Sequence, residues 1–288
     1  MTNIIASYWT VAGDRFPGCG DEASPRSFKE RFEVAGRLGY AGADLVYDDL
    51  IAARDTIGYP ELRRILEGNG LMDIEVQILT DWFADGARRA ESDRIRAGLL
   101  EAGEAIGAHH LKIAGDFQTK ELNIDRMAES LAELNADVVK RGFLVGIEIL
   151  PFTNLATVKE SRAVVEAAGI KDGGLLLDIW HMERNGIPNS DIAALPPEMI
   201  VSIEINDAAA EVQGDLWQDT VNSRLLPGQG AFDIDGFLSA VYSTGFDGPV
   251  GVEIISAEQR QKPLEAGARD AIEAARPFLE RARKKANA

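Results

Sequence analysis

Eight short runs of nearly unbroken apolar residues limit what this chain can fold into more than any other feature. They lie at 4–9, 42–46, 73–79, 110–115, 144–150, 174–180, 200–206 and 249–255. Apolar runs without polar alternation are the mark of strands buried on both faces, as in parallel sheets. Helical periodicity separates most of these runs. Apolar side chains fall at Ile124, Met127, Leu131, Leu134 and Val138, and again at Ile95, Leu99, Ala102 and Ile106, each set forming one stripe along a helix. Phe28, Phe32, Ala35 and Leu38 repeat the pattern, and the tail from Ser256 to about Arg283 reads as one helix. Eight runs in 288 residues leave roughly 36 residues per repeat, room for a strand, a loop, a helix and a second loop. The reading is α/β: a closed (β/α)8 barrel in a single domain, residues 1–288, with an open doubly wound sheet as the alternative. The first run is followed by TVAGDRFPG, which lacks the glycine fingerprint of a dinucleotide site.

Charge and cysteine content exclude several functions. Thirty Lys and Arg against 47 Asp and Glu leave a net charge of −17, the opposite of what phosphate backbones require, so no nucleic-acid partner is expected. Cys19 is the lone cysteine and cannot form an internal disulfide, which fits a reducing cytoplasm. The start of the chain has no basic leader, and no apolar run is long enough for a membrane span. The segment 207–235 is the longest irregular stretch, and it lies between the seventh and eighth runs, where barrel enzymes carry functional loops.

The runs themselves contain carboxylates. Glu75, Glu148, Glu204 and Glu253 are each flanked by apolar residues, and Asp178 follows three leucines. Burying a carboxylate is costly unless it is paired or bound to a metal. Near the C-terminal ends of strands five to eight, Glu148, Asp178, Glu204 and Glu253 would converge at the barrel mouth. Their mutual repulsion calls for a divalent cation, because pairing them would take four buried cations and those strands carry none. Glu75 has two readings, a pair with Lys112 on the next strand or a contact to substrate. Lys112 in turn meets an anionic group of substrate or only balances Glu75. His181, three residues after Asp178, is read as a substrate contact rather than a metal ligand, and His109 and His110 as structural. Arg224 precedes a rigid Pro-Gly turn and is read as a pocket residue against the alternative of a solvated loop arginine. Trp9, Trp82 and Trp180 stand at or just past strand ends, either as aromatic walls of a sugar pocket or as core.

In their order and spacing these residues resemble the xylose isomerase-like family of sugar phosphate isomerases and epimerases, relatives of the ketose 3-epimerases. The resemblance covers most of the chain and is strongest from residue 142 onward. It rests on Gly146-Ile-Glu148, on Asp178-Ile-Trp-His181, on Glu204-Ile-Asn206-Asp207, on Arg224 with the Pro-Gly-Gln-Gly loop ending at Gly230, and on the stretch from Gly245 through Gly248-Pro249 to Glu253. It implies one divalent metal ion held by Glu148, Asp178, Glu204 and Glu253. The family usually has His where Glu204 stands, and an all-carboxylate set favours Mn²⁺ or Mg²⁺ over Zn²⁺. The endonuclease relatives on this barrel need a histidine-rich trinuclear zinc site, which three histidines do not supply.

The implied reaction is isomerisation or epimerisation of a keto sugar or related polyol through an enediolate. Glu148 and Glu253 would exchange protons on opposite sides of the reacting carbon, and His181, Arg224 and Lys112 would hold substrate oxygens. Two alternatives remain. One is a dehydratase of an inosose- or dehydroshikimate-like substrate, since the same enediolate can expel a β-hydroxyl. The other is a non-catalytic sugar-binding barrel, against which the retention of both Glu148 and Glu253 counts. No glycine loop dedicated to phosphate is visible, which favours an unphosphorylated substrate. Barrels of this family often pair, so a homo-oligomer is one assembly the resemblance allows.

Overall fold

All eight runs form strands in the computed structural model, which describes residues 3–286. They are β1 (Ile4–Ala6), β2 (Gly42–Val46), β3 (Asp73–Leu79), β4 (His110–Ala114), β5 (Leu144–Glu148), β6 (Gly174–Asp178), β7 (Ile200–Ile205) and β8 (Val250–Val252). They close into one parallel barrel in sequence order, and β8 returns to β1 with Gly251 opposite Ile5. Closure leaves no strand edge unpaired. The (β/α)8 barrel expected from the sequence is the fold the chain adopts.

The helical stripes do what their spacing predicts. Met127, Leu131, Leu134 and Val138 are all buried on the helix Ile124–Lys140, and Leu99, Ala102 and Ile106 on the helix Gly86–Ile106. Burying each of the larger side chains contributes roughly 1.5–3 kcal/mol, and this layer seals the outer face of the barrel. Side chains fix several helix starts. Ser27 accepts a hydrogen bond from the Glu30 amide at 3.2 Å, and Thr157 and Glu160 satisfy each other's backbone amides as a capping box.

Two segments differ from the sequence reading. The tail is not one helix: Ala257–Gln261 and Leu264–Ala286 are separated by Lys262 and Pro263. Lys262 sits at φ −70°, ψ 148°, extended as a residue before proline must be. The first run ends as a strand at Ala6 and turns into the short helix Tyr8–Val11. The Tyr8 amide donates to Asp44 at 3.0 Å and the Thr10 hydroxyl to the Val252 carbonyl at 2.7 Å, drawing the chain out of the ladder.

Because every strand is parallel, all eight C-terminal ends open onto one mouth. Glu148 and Asp178 end β5 and β6, Glu204 lies one residue before the end of β7, and Glu253 follows β8 directly. Asp178 and Glu204 face each other across the β6–β7 register, and Glu204 faces Gly251. Gly251 has to be glycine here, since a Cβ would come within 2.8 Å of both the Glu204 Cγ and the Ser7 Oγ.

The segment 207–235 is more ordered than its composition implies. The Asp207 carboxylate accepts four backbone amides, from Ala208 and Phe232 on Oδ1 at 2.8 and 3.0 Å and from Gly228 and Gly230 on Oδ2 at 2.9 Å each. A backbone bridge joins Asp207 to Leu225, so this anchor also sets where Arg224 lies. The helix Leu216–Asn222 is clamped in turn by Arg184, whose Nε donates to Asp219 at 2.8 Å.

Candidate active site

The barrel axis holds an unusual density of buried charge. Asp44, Glu75, Glu148, Asp178, Glu204 and Glu253 are all buried, as are Lys112 and Arg224. Lys112 is 0% exposed and lies 2.9 Å from Glu75 and 3.0 Å from Glu204, with Glu253 and Glu148 at 3.8 and 3.9 Å. Arg224 places one Nη1 2.5 Å from Asp178 and 2.8 Å from Glu253, while its Nη2 donates to Thr220 at 3.0 Å. Asp178 accepts on its other oxygen from the Trp180 amide at 2.8 Å and from Asn206 at 2.9 Å, which makes it the cap of the short helix Ile179–Arg184. That turn brings His181 round to the mouth, with Nε2 3.4 Å from Glu148 and 3.8 Å from Asp178.

Two cations do not balance six carboxylates, and the acids respond unequally. Burial pushes Glu253 up to about 7, with Asp178 and Glu148 adding to the effect against the pull of Lys112 and Arg224. Burial and then Glu253 raise Glu204 well above the carboxylate range, and burial and then Glu75 do the same to Asp44. Burial also acts to raise Glu75, but Lys112 and His110 outweigh it and hold the group at about 2. Asp178 is likewise lowered, because Arg224 and His181 overcome its burial.

This excess of negative charge is what a divalent cation relieves, and the donor geometry fits one. Glu148, Asp178, Glu204 and Glu253 each offer an oxygen, all within 4.8 Å of one another, and Glu148, Asp178 and His181 form a second such group. An all-oxygen set of four carboxylates suits a hard divalent ion.

A cavity of about 140 Å³ opens onto this cluster. Glu148 and Glu253 line it, as do His181, Arg224 and Gln77, whereas Asp178 and Glu204 lie beneath. Its remaining wall is largely apolar, with Trp9, Val46, Ile78, Leu150 and Ile255 among the lining residues.

The structure thus brings together all the site residues expected from sequence, though not in every expected relation. Lys112 does not line the cavity; Glu75 and Glu204 occupy its ammonium below, so its place is that of a counter-ion rather than a substrate contact. Glu75 is paired with Lys112 and with His110 at 3.0 Å, the structural alternative. The carboxylates at the mouth are also not without cations. The strands that carry them supply none, but Lys112 reaches across from β4 and Arg224 folds in from the seventh loop. Of the three tryptophans, only Trp9 lines the cavity. Trp82 is core and donates to the Ala114 carbonyl at 2.8 Å, and Trp180 is buried between Phe152 and Arg224. Sequence reasoning missed Glu22, Phe117, Phe152 and Trp217, which line the cavity from the segments after β1, β4, β5 and β7, Trp217 from the helix Leu216–Asn222. Phe117 and Phe152 carried one readable signal, their position just past the ends of β4 and β5 on the catalytic face of a barrel; Glu22 and Trp217, farther along their connections, carried none.

With the fold and this carboxylate cluster in view, comparison with known proteins is direct. The chain belongs to the xylose isomerase-like TIM barrel family, whose pattern it matches over residues 32–278. Among curated relatives, a 3-dehydroshikimate dehydratase of Pseudomonas aeruginosa is 27% identical over 253 residues, covering 84% of this chain but 38% of that protein. An inosose isomerase of Halalkalibacterium halodurans is 30% identical over 175 residues, 58% of this chain and 61% of the relative. The chain therefore spans well under half the length of the dehydratase it matches. A solved structure described as the IolI protein with a binding zinc atom superposes with a TM-score of 0.83 at 18% identity, covering 98% of this chain and 99% of the other. Among the described residues no helix is long and apolar enough to cross a membrane.

Proposed function

We propose that this chain is a divalent-metal-dependent enzyme that moves protons beside the carbonyl of a keto sugar or related polyol, as an isomerase or epimerase. The observation that carries this reading is the division within the carboxylate cluster. Four carboxylates converge, but only Glu148 and Glu253 face the cavity. An ion held by Glu148, Asp178, Glu204 and Glu253 would act as a Lewis acid toward a substrate carbonyl and acidify the neighbouring C–H.

The protein's own groups supply the rest. Glu148 and Glu253, from β5 and from just past β8, reach the cavity from different parts of the wall, so one removes a proton and the other returns it. His181, beside Glu148, donates to a substrate oxygen. Arg224 holds Asp178 and Glu253 in place and presents its guanidinium to the cavity. The apolar wall keeps bulk water from the reacting carbon.

A dehydratase is the second reading. It is supported by the length of the match to the P. aeruginosa protein, and His181, beside Glu148 at the mouth, is the group that would protonate a departing hydroxyl. Calorimetric titration with Mn²⁺, followed by a screen of ketohexoses and inososes with products read by NMR, tests both readings. Mn²⁺ binding that is lost in E148Q/E253Q, with a product of unchanged mass, supports the isomerase. A product lighter by one water selects the dehydratase. Mn²⁺ binding no stronger than that of the double variant ends the metal-dependent reading.

A further inference from the structure

The cavity has two chemically different ends. The deep end holds Glu148, His181, Arg224 and Glu253, all buried. Toward solvent the lining becomes aromatic. Phe117 is 46% exposed and Trp217 40%, and Trp217 packs edge-on against Phe152 with ring centroids 5.6 Å apart. Phe117 and Trp217 are the two aromatic residues among the exposed large hydrophobics of the described chain, and both line this cavity.

The charges of the lining point the same way. Arg224 is the one Lys or Arg in the lining, and its Nη atoms are committed to Asp178, Glu253 and Thr220. The charged group nearest the rim is Glu22, whose carboxylate accepts the Gly18 amide at 2.7 Å; among the described residues no Lys or Arg pairs with it. Apart from the metal ion itself, a phosphate or carboxylate on the substrate would meet Glu22, Glu148 and Glu253 against a single guanidinium whose Nη atoms are already engaged.

We propose that the substrate is a neutral hydroxyketone bearing a flat apolar substituent, such as an aryl group, that seats against Phe117, Phe152 and Trp217 while the hydroxyketone reaches Glu148 and Glu253. This rests on the reading of the deep end given above and adds the occupant of the outer end. Stacking on the rim and burial of the substituent supply binding that a bare sugar cannot draw on.

Calorimetry on the Mn²⁺-supplemented protein tests it with three unreactive probes: phenyl β-glucoside, methyl β-glucoside and glucose 6-phosphate. The phenyl probe is expected to bind about tenfold more tightly than the methyl probe. In W217A/F117A that preference falls to about threefold or less, the phenyl affinity dropping more than the methyl affinity. The phosphate binds no better than the methyl probe. Equal affinity for phenyl and methyl probes overturns the proposal and leaves the metal and proton-transfer reading intact, as does tightest binding of the phosphate. Failure of all three probes to bind overturns it as well, and the Mn²⁺ titration then shows separately whether the deep end stands. A rim substitution that leaves the phenyl preference intact but converts a dimer to a monomer gives the aromatic rim to a second copy of the chain, which also overturns it.

Discussion

The ammonium of Lys112 on β4 lies 3.0 Å from the carboxylate of Glu204 on β7, across the barrel interior. The same nitrogen is 2.9 Å from Glu75, so one cation links carboxylates from β3 and β7 at the floor of the site. Removing one partner of a buried ion pair costs far more than replacing the whole pair, because an uncompensated charge remains. Lys112→Met is expected to destabilise the fold by about 3 kcal/mol. Adding Glu204→Gln to it should cost less than the sum of the two single variants. Urea denaturation of the four proteins of the cycle measures this, and additive effects would show that the two groups are not coupled.

Asp207 anchors the loop that carries Arg224. Four amides on one carboxylate form a set of charge-assisted hydrogen bonds, and none of them has another partner in the loop 226–232. Asp207→Ala should lower stability by about 2–3 kcal/mol and open the Pro-Gly-Gln-Gly turn to protease. Asp207→Asn, which keeps the acceptor oxygen and the shape, should recover part of the loss. Limited proteolysis with mass-mapped cleavage sites reads the loop directly, and cleavage no faster than in the parent protein would contradict the anchoring role.

His181 belongs to the cavity lining and touches Glu148 from the neighbouring helix, while four carboxylates are present without it. His181→Ala should therefore keep Mn²⁺ affinity within about threefold and lose at least 10²-fold in kcat/KM, the scale of a lost acid–base group. Asp178→Ala is the reference for ligand loss. If His181→Ala releases metal as fully as that variant, the second group of donors, Glu148 with Asp178 and His181, is the one in use.

The barrel wall yields a simpler test. Leu131 is fully buried at the centre of the Ile124–Lys140 stripe, and Leu131→Ala should cost about 2–5 kcal/mol with Mn²⁺ affinity unchanged. Thermal unfolding together with a metal titration separates the two quantities.

Much of this was legible in the sequence because the relevant signals are local. A strand buried on both faces needs no partner to declare itself, and a Glu between two isoleucines is conspicuous wherever it occurs. Asp178 and His181 lie one helical turn apart, so their shared orientation follows from the turn alone. The pairings were not legible, since they depend on what closes the barrel. Glu204 meets Lys112 from 92 residues away, and Asp178 meets Arg224 from 46. The break in the C-terminal helix was readable at Pro263 but was masked by the strong apolar stripe around it. Phe117 has no periodicity to set it apart in its loop, and Trp217 lies on a helix of seven residues, too short to show an apolar stripe.

In the proposed reaction Glu148 and Glu253 move protons on and off the carbon beside a substrate carbonyl. Turnover of a hydroxyketone in heavy water, with deuterium located by NMR, tests it most directly. Solvent deuterium should appear at the carbon adjacent to the carbonyl in material handled by the parent protein. Glu253→Gln, which keeps the shape and one oxygen for metal but loses the basic site, should bind Mn²⁺ less tightly and incorporate deuterium at least 10²-fold more slowly. Product formed by the parent protein without any solvent deuterium would mean that hydrogen passes directly between carbons, and would contradict the two-glutamate account.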